Sequence, residues 1–369
     1  MSADDEHRYY TIFRDDISRN DKQHGRYTKC LNLCIFIRLS TFVFTLFFFY
    51  FFIYSVSWDP PPKKVALRIN SSAYCSTGYT WFEQTNHCYR ASPIGVTFKV
   101  ANESCHADQA HLTSIHSELE NVFIAGLYHK SITEVKKTTF LNTKHFILIG
   151  LHKPNTTWEW MDGSQMSFSN FATGENTDNT SLSWVTISTW GSYWTLRNEK
   201  NDNEFGFVCK KASRLGIQDN VTSPAPSLLR NYDKCSMGYD WLETLGYCYE
   251  VLAVNSTFAE AERSCKENNA NLVSIHSELE NILLTGLIMK AYGHLRKEAI
   301  SDLWIGLTVQ DRKYTWTDGS AVDFVDWFPS EPAYRKGEDT FQWNFWEAWQ
   351  PVKPSLQNGF ICKMREYSG

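Results

Sequence analysis

The sequence predicts an α+β fold: two tandem copies of one domain behind a single transmembrane helix. Three observations carry that expectation. One is a 20-residue apolar run without a charged side chain, Leu39 to Trp58. The second is the hexapeptide HSELEN, at His116–Asn121 and again at His276–Asn281, an offset of 160. The third is a set of ten cysteines with no C-x-x-C pair among them. At roughly 100–200 residues per domain, 369 residues leave room for two domains. A hydrophobic content of 43% supports real cores, and a net charge of −5 offers no basic field, which argues against a nucleic-acid partner.

The apolar run comes first. Twenty residues at helical rise span about 30 Å, the thickness of a bilayer's hydrocarbon core. It follows Arg38, stops at Asp59 and three prolines, and places Tyr54 and Trp58 at an interface. A cleaved leader is the competing reading, disfavoured because the 38-residue, largely hydrophilic segment ahead of the run is too long and the run exceeds a signal's usual core. Arg19, Lys22, Arg26, Lys29 and Arg38 precede it, against Lys63, Lys64 and Arg68 after it, which favours a cytoplasmic N-terminus. All six N-x-S/T sequons, at Asn70, Asn102, Asn155, Asn179, Asn220 and Asn255, lie on the far side. The expected plan is a single-pass type II protein: tail 1–38, span 39–58, stalk 59–74, domains 75–211 and 235–365, and a linker 212–234. The localisation this implies is the cell membrane, with the C-terminus extracellular.

The repeat organises the remainder. The offset of 160 carries Cys75, Cys88 and Cys105 onto Cys235, Cys248 and Cys265. Further on, Ile147–Leu151 (ILIGL) matches Leu303–Leu307 (LWIGL), and the segments ending W-x-D-G-S at Ser164 and Ser320 match, both at offset 156. Cys209 matches Cys362 at 153. The shrinking offset puts the length changes in loops, where ligand specificity usually resides. Each copy opens with a Tyr- and Trp-rich segment between two cysteines, read as a hairpin. A first helix follows, with Thr257 and Glu260 as a capping box in the second copy. Ser117 with Glu120, and Ser277 with Glu280, announce a second helix whose core stripe is Leu119, Phe123, Leu127 and Leu279, Leu283, Leu287. Alternating Ile147, Ile149 and Leu151, then Trp158 and Trp160, then a closing GFVCK or GFICK, read as strands. Helices followed by strands indicate α+β. The linker region carries two prolines and a sequon.

Taken in order, the paired cysteines, WF/WL, HCY/YCY, SELEN, IGL, W-x-D-G-S and GFxCK resemble the C-type lectin-like domain, in both copies. The resemblance implies hairpin disulfides Cys75–Cys88 and Cys235–Cys248, and helix-to-strand disulfides Cys105–Cys209 and Cys265–Cys362. A further bridge usual in the family's long loop is missing from both copies.

Sugar-binding members of that family hold Ca²⁺ through an E-P-N or Q-P-D triplet, a downstream Glu and a W-N-D triplet; a hard cation needs six to eight oxygens. The first copy offers Glu175-Asn176-Thr177 and Trp194-Thr195-Leu196. The second keeps Glu331-Pro332, replaces the third ligand with Ala333, supplies Glu338, and reads Trp346-Glu347-Ala348 at the last triplet. The implied site is therefore degraded: at most Glu331, Glu338 and Glu347 remain as calcium ligands, and no cofactor is expected with certainty. Aromatic faces offer a second route to a ligand, and Trp349 is the candidate contact, with Trp343 and Trp346 expected in the core.

In the tail, Tyr9 and Tyr10 begin overlapping Y-x-x-Φ patterns behind Asp4, Asp5 and Glu6, of the kind read by cytoplasmic adaptors in sorting or signalling. Cys30 and Cys34 stand near the span as reduced or palmitoylated thiols. No enzyme is indicated, since neither repeat pairs a nucleophile with a base in sequence. The expected function is a cell-surface recognition receptor for protein or glycan ligands, largely without calcium. The alternatives are a calcium-dependent lectin acting through the second domain, and an adhesive surface protein without signalling.

Overall fold

The computed structural model describes residues 71–138, 145–179, 182–198, 204–214, 231, 233–294, 302–328, 331–333, 335–344 and 348–366. The apolar run 39–58, the tail tyrosines Tyr9 and Tyr10, Cys30 and Cys34 lie outside these residues. No helix among the described residues is long and apolar enough to cross a membrane.

In the first repeat the order is β1 (Thr80–Phe82), β2 (His87–Val96), α1 (Phe98–Ala107), β3 (His111–Leu112), α2 (Glu118–Thr138), β4 (Phe146–His152), β5 (Glu159–Trp160), β6 (Trp184–Ser188), β7 (Trp194–Arg197) and β8 (Phe205–Ala212). The second repeats it as β9 (Asp240–Leu242), β10 (Tyr247–Ser256), α3 (Phe258–Glu267), β11 (Asn271–Leu272), α4 (Glu278–His294), β12 (Leu303–Gln310), β13 (Lys313–Trp316), β14 (Thr340–Trp343), β15 (Trp349–Val352) and β16 (Asn358–Arg365). Each forms a mixed sheet, ordered β1-β2-β8-β4-β6-β7 and β9-β10-β16-β12-β14-β15. The first and last long strands pair antiparallel, so each domain closes on itself, and the parallel strand pairs, β4 with β8 and β12 with β16, lie at the sheet centre.

Disulfides lock that closure. Cys105 of α1 joins Cys209 of β8, and Cys265 of α3 joins Cys362 of β16. Cys75–Cys88 and Cys235–Cys248 close the N-terminal hairpins. The glycine of the IGL motif has a steric reason: a Cβ on Gly150 or Gly306 would press on the carbonyl of Leu112 or Leu272.

The capping box at Thr257 is present in full, its hydroxyl accepting from the Glu260 N–H while the Glu260 carboxylate accepts from the Thr257 N–H. The second helices differ from expectation. Ser117 and Ser277 cap the N–H groups of Glu120 and Glu280, but each glutamate reaches one residue further back, to the backbone N–H of His116 or His276 at 2.8 Å. Its other oxygen is committed to the core.

The predicted stripe of α2 and α4 is buried, yet so are Val122, Ile124, Ala125 and Tyr128, and likewise Ile282, Leu284, Ile288 and Met289. A helix apolar all round is buried on all sides. Here the second buried face of each helix belongs to the other: α2 packs on α4, and one continuous apolar cluster runs through both repeats. At the crossing, a Cβ on Gly126 would overlap the Ile282 carbonyl, and one on Gly286 the Val122 carbonyl.

Candidate functional site

Three sequence landmarks converge in the interior of each domain. Tyr89 from HCY donates to Glu120 of SELEN at 2.6 Å, and Lys210 of GFVCK reaches the same oxygen at 2.7 Å. Tyr249, Glu280 and Lys363 repeat this at 2.6 and 2.8 Å. All six side chains are almost fully buried. Burial pushes the Glu120 carboxyl up, but Lys210, Tyr89 and the His116 N–H more than offset that and hold it below the usual range. Burial and Glu120 raise Tyr89 well above its ordinary value, so it remains a donor. Each lysine also donates to the carbonyl of Ser114 or Ser274, whose hydroxyl donates to Asp162 or Asp318 of W-x-D-G-S at 2.6 Å. The network links four motifs into one buried polar floor in each domain.

Above that floor, His276 lies between Asp323, 2.8 Å from Nδ1, and the hydroxyls of Ser274 and Ser320, 3.1 and 3.2 Å from Nε2. Burial raises the Asp318 carboxyl, and hydrogen bonds from Ser274 and Ser320 outweigh that and leave it low. Both hydroxyls donate to this carboxylate and also lie within hydrogen-bond reach of Nε2, so the four side chains form one closed polar network. In the first domain Ser167 stands where Asp323 would be, 3.2 Å from His116 Nδ1.

The carboxylates predicted as residual calcium ligands are brought together, around an arginine. Arg335 donates to Glu331 at 2.9 Å and to Glu338 at 3.1 Å. The second oxygen of Glu331 accepts from the Ala333 N–H. Glu331 is nearly buried and Glu338 four-fifths buried, so the guanidinium occupies the charge position that these two acids create. Glu347 and Trp346 lie outside the described residues.

Trp349 is a correction. It is fully buried, ringed by Trp316, Phe324 and Trp327, and is not a surface contact. Its place is that of Trp194 in the first domain: Phe171 bridges Trp194 as Trp327 bridges Trp349, and the Trp194 and Trp349 carbonyls accept from Ala172 and Phe328. The tryptophan of the last calcium triplet in the second copy is therefore Trp349, not Trp346. The two residues after it are Gln350 and Pro351, which supply no carboxylate. The register error arose because three tryptophans stand at three-residue spacing, and only the pairing of Trp343 with Trp349 separates them.

In the first domain, the Leu196 N–H donates to Glu175 at 3.3 Å, and Lys153 and the Trp158 indole donate to the Thr177 carbonyl at 2.9 and 3.2 Å. Protein donors thus reach one Glu175 carboxylate oxygen and the Thr177 backbone carbonyl. Among the described residues no group of three or more His, Cys, Asp or Glu side chains is placed to hold a metal ion. Glu331 and Glu338 are thus engaged by Arg335, whose own side chain is half-exposed. Of the sequon asparagines, Asn155, Asn179 and Asn255 are exposed, Asn102 is half-buried, and Asn70 and Asn220 lie outside the described residues.

Residues 94–211 and 254–364 match the Lectin C-type domain. The chain belongs to the C-type lectin domain family. Human C-type mannose receptor 2 is 28% identical over 264 residues, covering 70% of this chain and 16% of that protein, so the chain spans about a sixth of that relative. The alpha-N-acetylgalactosamine-specific lectin of Patiria pectinifera is 31% identical over 134 residues, 34% of this chain and 77% of that lectin. Among solved structures, human lithostathine is 23% identical over 36% of this chain and 90% of its own, with a TM-score of 0.32. The tandem lectin-type domains each carry the buried Tyr-Glu-Lys network and two disulfides.

Proposed function

We propose that this protein is a cell-surface recognition receptor that binds a glycan or protein ligand through its lectin-type domains without calcium. The observation that carries the reading is Arg335, seated on Glu331 and Glu338 where a calcium-binding member would present free carboxylates to the ion. A guanidinium forked between two carboxylates makes charge-assisted hydrogen bonds, and a divalent cation would have to displace them. Family membership and the names of the relatives, a receptor and a lectin, support the class of function. The uncharged run 39–58, with every sequon beyond it, supports a single-pass type II anchor in the cell membrane. Tyr9 and Tyr10 then face the cytoplasm, where an adaptor reads them for sorting or signalling.

The test is a binding screen with the full chain displayed on cells, against arrays of glycans and of extracellular proteins, with and without EDTA. Ligands that remain bound in chelator support the reading. Loss of every bound ligand on chelation contradicts it.

A further inference from the structure

The contact between the two repeats is reciprocal. Glu118 at the start of α2 pairs with Lys290 near the end of α4 at 2.8 Å, and Glu278 at the start of α4 pairs with Lys130 of α2. The two glycines meet the opposite helix's carbonyls in the same crosswise way. The hairpin between β6 and β7 adds a backbone bond, Gly191 N–H to the Met289 carbonyl, 2.8 Å. The four disulfides among the described residues each lie within a domain, so beyond the linker it is these non-covalent contacts that join the pair.

The symmetry breaks at one point. Lys130 also stands 3.7 Å from the carboxylate of Asp326, which is 3% exposed. Asp326 sits where the second domain's chain turns into its long loop: its carbonyl accepts from Trp349, and its carboxylate accepts from Asn281 at 3.0 Å. In the first domain the equivalent residue is Asn170, a neutral side chain that donates to the Ser192 carbonyl at 2.8 Å. The counterpart lysine, Lys290, turns instead to Asp240, 3.3 Å away. A buried carboxylate at the root of the loop in one domain is thus accompanied by a cation supplied from the other. Removing one member of a buried pair leaves an uncompensated charge, which is strongly unfavourable.

We propose that Lys130 of the first domain is a positioning residue for the long loop of the second, so that the two domains form one recognition unit. This deepens the receptor reading and rests on it for the loop's role in ligand binding. The docking of α2 on α4 completes the root of the loop that carries Glu331, Arg335 and Glu338. The second domain's recognition surface therefore depends on the first even where the first touches no ligand.

Hydrogen–deuterium exchange of the full chain in detergent tests this with neither ligand nor calcium, so its outcome is separate from that of the chelator screen. Lys130→Met should speed exchange across 323–328 and 335–344 roughly tenfold or more. Lys130→Arg should retain protection. Lys290→Met should leave those segments unchanged. Lys130→Met combined with Asp326→Asn, which installs the first domain's neutral residue, should restore protection. Unchanged exchange in folded Lys130→Met, or failure of the double variant to restore protection while the single one loses it, would overturn the proposal.

Discussion

Glu120 and Lys210 show how one buried contact ties distant parts of the chain together. The pair, almost fully buried, holds Tyr89, Ser114 and through it Asp162, so four motifs far apart in sequence share one polar knot. Lys210→Met leaves Glu120 buried without its cation, and a cost of about 3–5 kcal/mol to the first domain is expected, read by urea denaturation. The same knot sets the response to acid. Glu120, Asp162 and Asp318 all titrate below their ordinary values in the folded chain. A depressed carboxyl contributes stability above its unfolded value and loses it as the pH falls through its folded value. Stability should therefore hold above the ordinary values of 4.5 for Glu120 and 3.8 for the aspartates, and fall progressively below them. Thermal unfolding followed from pH 7 to pH 2 checks this; a midpoint unchanged across that range would contradict it. Arg335 works at the same scale: one side chain between two acids changes what the loop can hold.

At the scale of elements, the second helices carry most of what the sequence left unread. Leu119, Phe123 and Leu127 were legible as a core stripe because four-residue spacing marks one face of a helix. The other face was not legible, because periodicity reports burial without saying what covers it. The signal was present in Gly126 and Gly286, two residues of low helix propensity at matching positions in otherwise apolar helices. Close approach explains them. Gly126→Val is expected to push α2 off α4, since the obstacle is the Ile282 carbonyl rather than a flexible side chain. With a protease site inserted between residues 215 and 230 of the full chain, the cut halves should co-elute in the parent and separate in the variant. Co-elution of both would contradict the packing account. The disulfide framework and the W-x-D-G-S turns were readable because covalent chemistry and short motifs leave local marks. The partners of Lys210 and Lys363 were not, since nothing local announces that a strand lysine points inward. Trp349 was misassigned for the related reason that strand register is a pairing property, set by Trp343 across the hairpin.

At the scale of the molecule, two lectin-type domains share an apolar cluster and exchange charges across a crossed helix pair. They differ in what their loops hold. The first closes its triplet with Leu196, Lys153 and Trp158, and the second with Arg335. Both arrangements satisfy acids or carbonyls with protein donors, and the proposal of recognition without a metal rests on that. The direct test is calorimetric titration of the full chain with Ca²⁺ at pH 7, through the roughly 0.1–1 mM range typical of extracellular calcium modules. The account predicts no saturable heat. A single-site isotherm that disappears on Glu331→Gln would contradict it.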